Sequence, residues 1–243
     1  MISIVCVYND KEILDNFLLK SLKNQSAEYE LILMDNTTGK FKSAAEALNK
    51  GGNKAKGEYI MFVHQDIDLE SDGCLKNIEN ISNRLNNLGI AGAAGRTNYK
   101  PQTITNIKDG IPPKSVSPET FNEPVKVQTL DECLVIIPKN VFKKIKFDEK
   151  VCNDWHLYAV DYSLSVKKLG LNAYVIPLFA YHRSKAYSLS EKYYETLKKV
   201  LSKHKTNKVI FTTVEDWLTF FPLILQRKMP GLKNKIIFSI ISS

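Results

Sequence analysis

Gly57-Glu58-Tyr59-Ile60-Met61-Phe62-Val63-His64-Gln65-Asp66-Ile67-Asp68 is the stretch on which the fold turns. Tyr59–Val63 has the length and apolar content of a buried strand, and it ends abruptly in a histidine, an amide and two acids. Ile2–Val7 and Glu30–Met34 are similar apolar runs on its N-terminal side. Between them, Lys11–Lys23 carries Ile13, Leu14, Phe17, Leu18 and Leu22 on one helical face, and Ser43–Lys50 forms a short alanine-rich helix. Beyond the acids, Gly73–Leu88 reads as a helix and Ile90–Ala94 as a strand. Leu134–Ile137 is a further strand, Trp155–Leu169 a helix closed by Gly170, and Ala173–Ile176 another strand. Strands alternating with helices at this spacing predict an α/β fold, with a mostly parallel central sheet and helices on both faces.

In such sheets ligands bind beyond the carboxyl ends of the strands. The residues at those ends are Tyr8-Asn9-Asp10, Asp35-Asn36-Thr37-Thr38, His64-Gln65-Asp66 and Gly95-Arg96-Thr97, all polar sets on one expected rim. Asp66 and Asp68 are carboxylates separated by one residue. They can hold a hard divalent cation, Mn²⁺ or Mg²⁺, against a diphosphate. The same spacing serves a helix cap or an Asx-turn. The segment 97–124, rich in proline, serine and threonine, interrupts the alternation and is long enough to be a binding loop.

Composition narrows the classes. The chain has 243 residues, 44% of them hydrophobic, and contains no apolar run of about 18 residues that would cross a membrane. The short apolar N-terminus lacks a basic flank and a cleavage site, so a cytoplasmic protein is expected. Cys6, Cys74, Cys133 and Cys152 form no CxxC pair and predict neither a zinc knuckle nor a disulfide framework. Gly89-Ile90-Ala91-Gly92-Ala93-Ala94-Gly95 is GxxGxxG, which does not meet the dinucleotide fingerprint. GxxxxGK[ST], HExxH and GxSxG are all absent from the chain. The net charge of +8 is concentrated after residue 183, where eleven Lys and Arg residues face four acids.

Taken in order, Val5-Cys6-Val7-Tyr8-Asn9, Leu31-Ile32-Leu33-Met34-Asp35-Asn36-Thr37, Ala44-Ala45-Glu46-Ala47-Leu48-Asn49-Lys50-Gly51 and Lys54-Ala55-Lys56-Gly57-Glu58-Tyr59-Ile60 lead to the acidic pair. This succession resembles the nucleotide-binding half of the family 2 glycosyltransferases, which have the GT-A fold. The resemblance covers residues 1–183: a nucleotide-binding half over about 1–96 and an acceptor half over about 125–183. It implies an enzyme that moves a sugar from a UDP- or dTDP-sugar to a hydroxyl of a glycan or lipid-linked glycan, with inversion. It places Tyr8, Asn9 and Asp35 beside the nucleoside, and Asn49 and Lys50 near the diphosphate. The family's metal-binding DXD motif falls on His64, Gln65 and Asp66, with Asp66 the direct ligand and His64 in place of the first aspartate. The alternative register, Asp66-Ile67-Asp68, spells DXD but sits two residues later. His182 would complete the metal site, and Arg183 would face phosphate.

In inverting members an acidic motif opening a helix supplies the base. Here Tyr158 and Ala159 occupy that pair, which leaves Asp161 as the candidate base, with Asp154 and His156 as rivals; Asp161 could equally salt-bridge Lys167 or Lys168. The eroded motif keeps open a second reading, a catalytically impaired scaffold on the same fold. Residues 184–243 read as a basic amphipathic helical extension. Within 208–241, Trp217, Phe220, Ile224 and Leu225 interleave with Arg227, Lys228, Lys233 and Lys235, a pattern suited to an anionic membrane surface at the inner face of the cell membrane or to a cap on the domain. No nucleic-acid motif accompanies the charge, so no nucleic-acid partner is expected.

Overall fold

The structure is a computed structural model and describes residues 1–98, 101–184 and 189–242. The chain opens with β1 (Ile2–Tyr8) and a continuous helical stretch, α1 (Lys11–Leu14), a π-helical turn (Asp15–Leu19) and α2 (Lys20–Leu22). It continues through β2 (Tyr29–Asp35), α3 (Ala44–Gly52), β3 (Tyr59–Val63), β4 (Ile67–Asp68), α4 (Cys74–Arg84) and β5 (Leu88–Gly92). Then follow β6 (Ala94–Arg96), β7 (Thr103–Thr105), β8 (Lys108–Asp109), β9 (Lys114–Ser115), β10 (Val125–Val127), β11 (Thr129–Leu130) and β12 (Leu134–Pro138). The last part holds α5 (Lys139–Lys144), α6 (Tyr158–Lys168), β13 (Asn172–Val175), β14 (Tyr181–His182), α7 (Glu191–Lys203), β15 (Val209–Ile210), β16 (Trp217–Leu218), α8 (Leu223–Lys228) and α9 (Pro230–Ser242).

Seven strands form the central sheet in the order β10-β13-β5-β12-β3-β1-β2. Alternation along each strand divides the core between its two faces. Val5, Ile60 and Phe62 point to one side, where Phe62 packs on Phe142 and Phe147 with ring centroids 5.3 and 5.0 Å away. Ile4, Cys6, Met61 and Val63 point to the other, against Leu14, Leu18 and Leu75. Gly52 ends α3 so close to this core that an added Cβ would lie 2.5 Å from the Phe142 ring. All four cysteines are free and buried, which fits their reading as small hydrophobes.

The sheet is mixed, where a mostly parallel one was expected. β1 pairs in parallel with β2 and β3, as does β5 with β13, but β12 runs antiparallel to both its neighbours and β10 is antiparallel to β13. The reason lies in the segment 97–124. It folds into small ladders at the strand-end rim (β6 with β7 and β11, and β8 with β9), so the chain enters β12 from the rim and runs back through the sheet. In that register Leu134 faces Val63, and the His64 amide donates to the Cys133 carbonyl at 2.9 Å. The start of β12 therefore lies beside the end of β3.

Several boundaries differ: α4 ends at Arg84 and β5 begins at Leu88, where the sequence suggests a helix to Leu88 and a strand from Ile90. α6 begins at Tyr158 because Leu157 is in the left-handed region, φ 65°, and cannot continue a helix backward to Trp155. Gly170, φ 75°, ends it as expected. The C-terminal extension is also not wholly helical, since β15 and β16 form a two-stranded ladder, and the segment around it is tied to Gln128 and to Arg96 of β6. Gln128 Nε2 donates to the Val209 carbonyl at 3.0 Å, the Phe211 amide donates to Gln128 Oε1 at 2.7 Å, and Arg96 grips Asp216 through Nε and Nη2 at 3.2 and 2.9 Å.

Candidate active site

His64 is the first residue beyond β3. Its Nε2 lies 3.1 Å from the Tyr158 hydroxyl, and that hydroxyl donates its single proton to the Glu132 carbonyl at 3.0 Å. His64 Nε2 must then be the donor, which leaves the lone pair on Nδ1. Burial, reinforced by the neighbouring His182, pushes the His64 imidazole below its ordinary range and favours this neutral form. Asp66 follows two residues later. Burial pushes its carboxyl up, but His182 and His64 outweigh burial and hold it below the usual carboxylate range.

His182 arrives from far along the chain. β14 pairs with β4 on one side and β8 on the other, placing His182 opposite Ile67 and Asp109. Its Nε2 is 3.4 Å from Asp66 Oδ1 and its Nδ1 is 3.1 Å from Asp109 Oδ1. Burial pulls the imidazole down, yet the bond to Asp66 and the charges of Asp66, Asp131 and Asp109 raise it overall. Ligand atoms of His64, Asp66 and His182 all lie within 4.8 Å of one another, a separation one metal ion can span. Among the described residues this is the group able to hold a cation.

Asp68 is outside the group. It sits in the β4 ladder opposite Tyr181, and burial together with Glu70 raises its carboxyl. Gln65 also takes another role: its Oε1 accepts the amides of Asn9 and Asp10 at 2.9 and 3.1 Å, and its Nε2 donates to Asn9 Oδ1 at 2.7 Å. Gln65 and Asn9 thus lock the β1 and β3 rim loops together. Tyr8 and Asp35 end paired strands side by side, and Asp35 Oδ1 accepts the Thr37 amide and hydroxyl at 2.8 and 2.7 Å. Arg183 follows His182, its amide donating to the Asp66 carbonyl at 3.0 Å and its guanidinium lying 5.4 Å from the Phe17 ring centroid.

Three expected positions are corrected. β2 and β3 both run parallel to β1, so α3 must return from the rim to the far end of the sheet. Its last turn carries Asn49 and Lys50 away from the rim. Asn49 is buried and bonded to Phe147 and Glu149, and Lys50 pairs with Glu46. Asp161 is 2% exposed and fully engaged, with Oδ2 2.7 Å from Lys203 Nζ and Oδ1 2.8 Å from His204 Nε2. Its partners come from α7 and its C-cap, and Lys167 and Lys168 are not among them.

A cavity of about 380 Å³ opens beside the cation group. His64 and His182 line it together with Asp131, Glu132 and His156, and the extension closes one wall with Thr212, Thr213 and Val214. His156 therefore reaches the site, and burial lowers its imidazole while Asp154 opposes. The Asp154 backbone carbonyl accepts the Ala44 amide at 3.2 Å. Asp131 is held by the Cys133 amide and the Thr213 hydroxyl at 3.0 and 2.7 Å. Burial raises its carboxyl, but these bonds and His182 bring it below the usual range.

The sequence does not single out Asp109. It offers Tyr158 only as standing in place of the acidic pair, and Asp131 and Glu132 only as part of the segment 129–136, whose resemblance implies an entry to the acceptor side. Asp131-Glu132 carried a signal, an acidic pair abutting an apolar strand as Asp66 does. It would have counted only if β12 were known to start at the rim.

A mixed seven-stranded α/β sheet with its polar groups gathered at the strand-end rim defines the GT-A, or nucleotide-diphospho-sugar transferase, fold. Residues 2–205 match the family described as "Glycosyltransferase like family", and the chain belongs to it. Solved structures agree on the fold. The mannosyltransferase PcManGT from Pyrobaculum calidifontis, in complex with GDP-Man and Mn²⁺, is similar with TM-score 0.60 and 11% identity, over 99% of this chain and 72% of that one. GalNAc-T7 with UDP, GalNAc and Mn²⁺ gives TM-score 0.59 and 14% identity over 82% and 47%. S. aureus TarS 1-349 with UDP-GlcNAc gives 0.57 and 16% over 83% and 66%. A curated relative, "ATP synthase subunits region ORF 6" of Fuscovulum blasticum, is 25% identical over 139 residues, 55% of this chain. The chain matches 54% of that relative's length.

Proposed function

We propose that this chain transfers a sugar from a nucleoside-diphosphate donor to a hydroxyl group of a glycan, with inversion. The observation that carries the reading is the His64, Asp66 and His182 cluster at the strand-end rim, beside a cavity of about 380 Å³. In this reading Tyr8 and Asp35 meet the nucleoside, and Arg183 meets the diphosphate. His-Gln-Asp takes the place of the family's DXD, with Gln65 as the brace between loops. Two imidazoles and one carboxylate suit Mn²⁺ better than Mg²⁺, which prefers all-oxygen sites. His64 fits the role because Tyr158 already holds its Nε2 proton and leaves Nδ1 free to ligate. Such an ion supplies charge neutralisation for the departing diphosphate. The solved structures of similar fold support the reading through the ligands they hold, UDP-GlcNAc, UDP and GDP-Man.

A thermal-shift screen of UDP, dTDP and GDP, each with Mn²⁺, Mg²⁺ or EDTA, tests this. Stabilisation by at least one nucleotide, larger with Mn²⁺ than with Mg²⁺ and lost in EDTA, is expected. Absence of any shift would sink the reading. A scaffold that has lost catalysis would bind nucleotide without turning over any donor sugar.

We further propose that residues 1–183 supply the catalytic chemistry and that 208–241 rests on an anionic membrane, bringing a lipid-linked acceptor to the site. No helix among the described residues is long and apolar enough to cross a membrane. Phe220, Ile224, Met229 and Phe238 are 60, 61, 47 and 72% exposed, an apolar surface on α8, α9 and the turn before them. The charge offered there is smaller than the sequence implied. Lys233 is buried against Glu215 and the Trp217 ring, and Arg227 pairs with Glu191. Lys228 and Lys235 stay exposed. Sedimentation with phosphatidylglycerol vesicles is expected, weakened about tenfold or more by Ile224→Ser with Phe238→Ser. Equal sedimentation of the double variant would remove this surface from consideration.

A further inference from the structure

The missing acid at the start of α6 leaves the proposed transfer without the helix-opening carboxylate that the resemblance implied as its proton acceptor. Asp161 is consumed by Lys203 and His204, and the position that opens the helix is Tyr158. Three carboxyls nevertheless line the cavity, those of Asp109, Asp131 and Glu132; the first is engaged by His182 and the second by Cys133 and Thr213. Glu132, in the turn between β11 and β12, lines it, and its Oε1 is shielded from solvent with no hydrogen-bond partner. An unpaired buried carboxyl oxygen costs stability wherever it has no task, so its persistence beside a ligand-sized space points to a ligand group that pairs with it.

The position is fixed from two sides. The Tyr158 hydroxyl bridges His64 Nε2 and the Glu132 carbonyl, at 3.1 and 3.0 Å, so the cation cluster and Glu132 share one wall. The amides of Leu157 and Tyr158, where α6 begins, lie against the Glu132 carboxyl. A side chain from the turn before β12 thus brings a carboxyl to the place where the helix itself has none.

We propose that Glu132 is the catalytic carboxylate that takes the proton of the acceptor hydroxyl, and that the cavity it lines with His156 and Val214 seats the acceptor. This rests on the transfer reading above. In the step, the acceptor oxygen forms a bond to the anomeric carbon of the donor as its proton passes to Glu132 Oε1. The bond from that carbon to the diphosphate oxygen breaks, and the nucleoside diphosphate leaves with the electron pair. Burial and the charge of Asp131 push the Glu132 carboxyl well above the usual carboxylate range, with the two α6 amides opposing, so its ionised form is a stronger base and makes up a smaller fraction at a given pH.

The test uses the full chain, Mn²⁺ and a panel of UDP-, dTDP- and GDP-sugars, following release of the nucleoside diphosphate with water as acceptor and again with sodium azide. Azide is a nucleophile that has no proton to lose. Glu132→Gln and Glu132→Ala are expected to keep the nucleotide-induced thermal shift of the wild type and to lose about 100-fold or more in release to water. Azide restores release by Glu132→Ala and yields a glycosyl azide. His156→Ala is expected to show no such rescue. Unchanged release by Glu132→Gln overturns the proposal, and so does azide rescue of His156→Ala in place of Glu132→Ala. Loss of the nucleotide shift in both Glu132 variants also overturns it, because Glu132 would then support the fold or the donor site. A wild type that binds nucleotide but releases none from any donor overturns the transfer reading, and this inference with it.

Discussion

Asp66→Ala is expected to abolish the Mn²⁺-dependent part of nucleotide stabilisation, and Asp68→Ala to leave it in place. At a nucleotide concentration about 100 times Kd, binding adds roughly 2.7 kcal/mol to stability. For a chain of this size that corresponds to about 5–10 °C in melting temperature, all of which Asp66→Ala should forfeit. The reason is geometric. Asp66 supplies the one carboxylate of the cluster, and His182 Nε2 is 3.4 Å from its Oδ1. Removing it leaves two histidines without the anion that holds them and should weaken Mn²⁺ by more than the 10–100-fold typical of groups that only orient ligands. Asp68 lies in the β4 ladder outside the cluster. Calorimetric titration with Mn²⁺ and a nucleoside diphosphate separates the two. Equal losses in both variants would return the site to the Asp66-Ile67-Asp68 register.

Asp161→Ala should act on stability, with no direct effect on chemistry. Its carboxylate is buried between Lys203 Nζ and His204 Nε2, and Lys203 also reaches Asp148 Oδ2 at 2.9 Å. Burial pulls the Lys203 ammonium down, but the two carboxylates raise it overall, so it stays charged at neutral pH. Deleting Asp161 leaves part of that charge uncompensated and strands a histidine that is 0% exposed. Breaking a buried pair in this way costs about 3–5 kcal/mol. A fall in melting temperature of roughly 6–20 °C follows. Denaturant unfolding measures the loss, and the nucleotide-induced shift of the protein that remains folded should persist. A variant that melts like the wild type but no longer turns over donor would restore Asp161 as the base.

Both predictions concern residues the sequence brought forward together, and the structure separates them by where their elements run. Asp66 and Asp161 each follow or begin a regular element and look equally suited to chemistry on paper. β3 delivers Asp66 to the open rim, whereas α6 turns Asp161 inward against the end of α7. Asn49 and Lys50 fail for a related reason. A segment order shared with a family places residues on an element, and only the direction in which the helix returns decides which of its ends meets the ligand.

Local pattern alone determined the alternation of strands and helices and the polar strand-end residues Tyr8, Asp35, His64 and Asp66, and the resemblance to a family supplied the GT-A fold. Burial periodicity and polar strand ends are properties of neighbouring residues and can be read in one dimension. His182 was legible only through the family resemblance. Tertiary structure decided the rest: the reversal of β12, the arrival of His182 between β4 and β8, the closing of the cavity by Thr212–Val214, and the placement of Glu132 beside Tyr158. Each of these joins segments tens of residues apart through strand register and hydrogen bonds. Such pairings depend on which edges and faces the packed sheet leaves available, and a linear pattern does not contain that choice.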